Sequence, residues 1–187
     1  MHMRENDYLC GMITMHPIPF AKLAELKAGY GEPDVRIPEI VSYLKLSHRY
    51  YVEVAMTGLE TQVRRVLASC DEKRGKVILS FFESYREEMM RHFAYEEEKV
   101  FPYAEALMKG ASTEDISIEE EDHTDIVEKV DDFYNIVAKY LPAECDPMDA
   151  LILLKQLSAL SEDLKKHTYV EDHLLIPRMR RMEWDGK

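Results

Sequence analysis

Residues 92–102 read HFAYEEEKVFP, and residues 167–177 read HTYVEDHLLIP. Both have the form His-x3-Glu-x5-Pro. Taken alone, the first stretch has an ordinary explanation. Glu96, Glu97 and Glu98 follow one another in an acidic chain, and a run of glutamates on a helix is usually a solvated face. The second stretch removes that explanation for two residues. It keeps the histidine, the glutamate and the proline in register while the residues between them vary. The step along the chain from His92 to His167 is the same as from Glu96 to Glu171, from Pro102 to Pro177 and from His48 to His123. One turn before each motif stands a further acid, Glu88 and Asp163, separated by the same step. The chain reads as an internal duplication, two helical hairpins about a pseudo-twofold axis.

Around these motifs the apolar residues recur every three or four positions, the spacing of a helix with one buried face. A first helix is expected over about 37–69, with Val41, Leu44, His48, Val52, Ala55 and Leu59 on its inner stripe. A second is expected over about 72–101, with Phe81, Tyr85, Met89, His92, Glu96 and Val100. The third covers about 117–140, with His123, Val127, Val130, Tyr134 and Val137, and the fourth about 147–176, with Leu153, Leu157, Leu160, Leu164, His167, Glu171 and Leu174. Asp146 before Pro147 is a good N-cap followed by a proline in the first turn. No alternating strand pattern competes. The fold class is all-α, an antiparallel up-down four-helix bundle over residues 34–187. Residues 1–33, with HPIPF and AGYGEP, read as an N-terminal arm or cap.

Each stripe is core, except that together they carry four histidines and two glutamates at positions that should be buried. A glutamate is almost never fully buried unless it is paired or bound to a metal. In a helix, residues i and i+4 project from one face, so His92 and Glu96 reach one point between helices, as do His167 and Glu171. His48 and His123 each add one imidazole. Four imidazoles and two carboxylates exceed what a single zinc takes. They suit two six-coordinate irons, each with two histidines, one oxygen from each of two bridging glutamates and an oxo or hydroxo bridge, leaving one open position per iron.

The order His…His-x3-Glu…His…His-x3-Glu on four long helices resembles the hemerythrin-like (HHE cation-binding) domain family, over about residues 35–180. The resemblance implies a non-haem di-iron centre held by His48, His92, Glu96, His123, His167 and Glu171. Oxygen-carrying hemerythrins have a fifth histidine one turn after the third-helix histidine and an aspartate near the end. Val127 stands at the first of those places, and Val52 at the matching place on the first helix. The symmetric set looks more like the iron-centre repair members, which usually carry an additional N-terminal domain with a cysteine pair; the arm here has Cys10 alone. The implied function is binding of O2 or NO in oxidative or nitrosative stress, by gas sensing, scavenging or iron donation for iron–sulfur cluster repair. The alternatives are a di-iron enzyme with peroxidase or NO reductase activity, and a regulatory module reporting iron or oxygen to a protein partner through the arm. A homodimer is also open.

Composition bounds the partners. A net charge of −12 over 187 residues argues against nucleic acid and against an anionic membrane surface. No stretch approaches the roughly 18 apolar residues of a membrane span. Cys10, Cys70 and Cys145 are odd in number and far apart, which argues against a disulfide framework and suggests a cytoplasmic protein. Of the remaining polar residues, Glu97 and Glu98 read as solvent-facing. Glu88, Glu119 and Asp163 are placed either to hold the second ring nitrogen of a ligand or at the surface. Tyr51 and Tyr134 line the pocket or fill the core, Met89 and Met90 are core filler, and His173 lies at the surface or behind a ligand. His2 and His16 belong to the arm.

Overall fold

The computed structural model describes residues 35–68, 72–110, 124–141 and 145–185. The arm expected over 1–33, the third-helix histidine His123 and Glu119 lie outside the described residues. Helix α1 (37–67) is built from Ile37–Tyr50, a π turn at Tyr51–Ala55, and Met56–Leu67. Helix α2 (72–108) is built from Glu72–Tyr95, a π turn at Glu96–Val100, and Phe101–Met108. Helix α3 is Thr124–Tyr140. Helix α4 (147–185) is built from Pro147–Val170, a π turn at Glu171–Leu175, and Ile176–Asp185. Helices α1 and α2, α2 and α3, α3 and α4, and α4 and α1 pack side by side, which closes the antiparallel bundle. The described residues contain no strand.

The helix starts follow from local chemistry. The Asp146 carboxylate accepts the amides of Met148 (2.8 Å) and Asp149 (3.0 Å), two of the donors a helix start leaves unmatched. At α1 the Glu39 carboxylate accepts the Arg36 amide at 3.0 Å, with Pro38 in the first turn, where a missing N–H costs nothing.

The prolines do not end their helices as their usual role suggests. Helices α2 and α4 run through Pro102 and Pro177 to Met108 and Asp185. A proline inside a helix lacks the amide for its own bond, and its ring presses on the carbonyl four residues back. Here the turn before each proline widens by one residue. The Phe101 amide bonds the Glu96 carbonyl and the Ile176 amide bonds the Glu171 carbonyl, five residues back rather than four. The third π turn, in α1, has the Met56 amide on the Tyr51 carbonyl and no proline after it.

The inner stripes also differ from expectation, in α1 because of its π turn. In α1 the extra residue turns Tyr51, completely buried, and Met56 inward, and leaves Val52 and Ala55 half-buried. In α2 Phe82 rather than Phe81 is in the core, and in α3 Phe133 is buried while Tyr134 faces out. The α4 stripe is buried as expected. The apolar residues form two clusters. One holds Tyr51, Leu59, Phe82, Met89, Phe93, Phe133 and Leu164 among others. The other holds Ile40, Leu44, Phe101, Ala104, Val170, Leu174 and Met179 among others. The buried histidines and glutamates separate them. Cys145, buried before α4, is disulfide-bonded, contrary to the expectation from the cysteine spacing. With it the argument from unpaired thiols for a reducing compartment falls.

Candidate metal centre

His48 comes from α1, His92 and Glu96 from α2, and His167 and Glu171 from α4. All five are 6% exposed or less. The Glu96 carboxylate lies between two rings: Oε2 is 2.9 Å from His48 Nε2, and Oε1 is 2.7 Å from His92 Nε2. His48 Nε2 also lies 3.3 Å from His167 Nε2, and His167 Nε2 is 3.4 Å from Glu171 Oε1. One donor atom each from His48, Glu96, His167 and Glu171 fits within 4.8 Å of the others. Each glutamate heads its π turn, so the widened turn begins at the residue that faces the cluster.

The surroundings are aromatic and negatively charged. His48 stacks on Phe93 with ring centres 4.1 Å apart, and Phe101 stands 5.5 Å away on the side of the second core. Tyr51 and Phe93 meet the His167 ring edge-on at 5.5 and 5.9 Å. The Tyr51 hydroxyl donates to Asp163 Oδ2 at 3.2 Å. Burial first, and then the negative charge of Asp163, push the Tyr51 phenol well above its ordinary range. Tyr43 is pushed up to about 12, again by burial and then by Asp163, with Glu171 adding to it. Two carboxylates in so dry a place cost several kcal/mol each unless a cation compensates them. Two imidazole nitrogens directed at each other across 3.3 Å likewise need a proton or a cation between them. The donor set of neutral imidazoles and carboxylate oxygens suits a first-row divalent ion.

A family model described as the hemerythrin HHE cation binding domain matches residues 39–179. The chain belongs to the hemerythrin HHE cation-binding family. No curated protein and no solved structure gives a significant match. Membership in the hemerythrin HHE family and the buried His/Glu cluster together point to metal binding.

Five of the six residues expected to hold metal are brought together in this hemerythrin-like bundle, and His123 lies outside the described residues. The supporting residues differ more from expectation. Glu97 is exposed as expected, yet it also places Oε1 2.9 Å from His48 Nδ1. Asp163 holds Tyr51 rather than a ligand ring, and Glu88 pairs with Lys129 Nζ at 2.5 Å. Tyr51 is in contact with the site while Tyr134 is exposed; Met89 is core and Met90 is exposed. His173 is exposed, stacked on Tyr169. One signal for Glu97 is present in the sequence: its counterpart in the second motif, Asp172, is also a carboxylate. Among the described residues no helix is long and apolar enough to cross a membrane.

Proposed function

We propose that this protein holds a non-haem di-iron centre that binds O2 or NO. The observation that carries the reading is the Glu96 carboxylate, whose two oxygens face two different imidazoles. Such a carboxylate is placed to bridge two ions. His48 and His167 with one oxygen each of Glu96 and Glu171 supply four donors for one ion. His92 and His123 with the remaining carboxylate oxygens serve the other. Iron in such a set supplies a position where a diatomic gas binds reversibly. The chain's own part is to keep that position dry, through Phe93, Phe101 and Tyr51, and to hold the imidazoles in place. With imidazoles outnumbering carboxylates, the set favours gas binding over the oxidase chemistry of carboxylate-rich sites. The biological setting that fits is oxidative or nitrosative stress, through gas sensing, scavenging or iron donation, with residues 1–33 as an arm for a protein partner.

Anaerobic loading with Fe(II), metal analysis, and absorption spectra before and after O2 or NO test the reading. The expected result is two irons per chain and a spectrum that changes with one of the gases. Failure to retain iron, or a spectrum indifferent to both gases, overturns it.

A second reading, a peroxidase or NO reductase, is favoured by one feature. Tyr51 is completely buried against His167, yet its hydroxyl meets Asp163, whose side chain is 38% exposed. A reduction of H2O2 or NO consumes protons along with electrons from an external donor, and this pair stands between the His167 ring and solvent. Sustained turnover with either substrate by the iron-loaded protein supplied with an electron donor selects this reading; binding without turnover rejects it.

A further inference from the structure

The three consecutive glutamates of HFAYEEEKVFP have three different surroundings. Glu96 is buried between His48 and His92. Glu98 is exposed. Glu97 has a side chain 46% exposed, yet its Oε1 is 2.9 Å from His48 Nδ1. His48 is thus engaged on both ring nitrogens, with Nδ1 toward the outside and Nε2 toward the cluster. A carboxylate can only accept, and one faces each ring nitrogen, Glu97 at Nδ1 and Glu96 Oε2 at Nε2; with an ion in the cluster, Nδ1 keeps its proton toward Glu97 and Nε2 turns its lone pair to the ion. A negative partner on the far nitrogen also makes the near one a stronger donor. The π turn explains the geometry: Glu96 heads it and faces the cluster, and Glu97 is its second residue, reaching the outer edge of the His48 ring.

Resting on the metal reading above, we propose that Glu97 is a positioning residue for metal binding, fixing the His48 tautomer and strengthening its bond to the ion.

The test compares Fe(II) binding by the full-length wild type with Glu96→Ala, Glu97→Ala, Glu97→Gln and Glu98→Ala. Glu97→Ala is expected to weaken iron binding about 10- to 100-fold, the usual effect of losing a partner behind a metal-bound histidine. Glu97→Gln retains an oxygen acceptor and falls between Ala and wild type, while Glu98→Ala binds as wild type. Histidine 15N NMR on the metal-free proteins gives a readout independent of iron: a hydrogen-bonded, slowly exchanging Nδ1–H of His48 is expected in wild type and Glu97→Gln and is lost in Glu97→Ala. The thermal midpoint of metal-free Glu97→Ala is expected to match wild type, which separates positioning from a loss of fold. Unchanged iron binding in Glu97→Ala, or equal weakening in Glu97→Ala and Glu98→Ala, overturns the proposal. If wild type fails to bind iron, or Glu96→Ala binds it equally well, the metal reading itself falls; iron binding that depends on Glu96 but not on Glu97 removes this inference alone.

Discussion

The two hairpins of the bundle agree where they face the cluster and differ just beside it. Both carry His-x3-Glu-x5-Pro, and both open a π turn at the glutamate. Beyond that the halves diverge. Helix α1 has a π turn at Tyr51, whereas α3, at the matching positions 126–130, is an unbroken helix. The counterpart of the completely buried Tyr51 is the half-buried Ile126. Asp163 accepts from Tyr51, but its counterpart Glu88 pairs with Lys129. The difference separates two kinds of constraint. The positions that face the cluster are shared in type and in backbone shape, and the walls beside them are not. One side of the site meets a phenol backed by a carboxylate; at the matching described positions of the other stand Ile126 and a Glu88 turned to Lys129.

The comparison can be broken most severely at the shared glutamates. Glu96→Ala and Glu171→Ala are each expected to lose most of the bound iron, and to similar extents if the halves act as equals. Full occupancy in either variant, measured by metal analysis, would sink the bridging assignment. The next effect lies in the walls. Tyr51→Ala empties a fully buried position and is expected to cost about 3–5 kcal/mol in urea unfolding. Ile126→Ala at its half-buried counterpart should cost under about 2 kcal/mol; equal costs would mean that the two walls are equivalent after all. A third test uses alkali. The Tyr43 phenol, raised to about 12, is neutral in the fold at a pH where an unfolded tyrosine ionises. A raised pKa gives stability that is complete below about pH 10 and is lost as pH climbs through about 12. Ultraviolet titration should show this delay in wild type, and stability between pH 10 and 12 should fall less steeply in Tyr43→Phe. The smallest effect compares the outer pairs. Tyr51→Phe loses one buried hydrogen bond, worth about 1 kcal/mol, whereas Lys129→Ala at the partly exposed Glu88 pair should cost about 0–1 kcal/mol. A larger loss from Lys129→Ala would reverse the ranking of the two sides.

The fold was legible because the evidence for it is periodic and repeated. Four stripes at helical spacing define the bundle, and the fixed offset between the two halves distinguishes His92 and Glu96 from their acidic neighbours. What escapes the sequence is helix phase. A fixed spacing of three or four residues carried across Tyr51–Ala55 puts Val52 and Ala55 inside and misses Tyr51, because a π turn adds a residue that no residue type announces. Proline misleads for a related reason. Its usual role as a helix stop ends α2 and α4 before Pro102 and Pro177, and hides its second use, in the turn after a widened one. Glu97 is lost to a composition argument that treats a run of acids as one object, although side chains one residue apart point about 100° apart.

The widened turns have a consequence for how the chain tolerates changes in length. Each π turn in α2 and α4 is, in effect, one residue inserted into a regular helix, and one residue corresponds to about 100° of rotation. The segments Phe101–Met108 and Ile176–Asp185 are therefore reached one residue later in the sequence than in an unbroken helix, and Phe101, Ala104 and Leu107 of the first and Met179 of the second enter the second core. Deleting one residue between 97 and 100 would leave the composition almost unchanged and restore an ordinary helix. Because the widened turn already absorbs that residue, Phe101, Ala104 and Leu107 would keep their phase in that core, and the loss would fall on the turn itself, where Glu97 reaches the His48 ring.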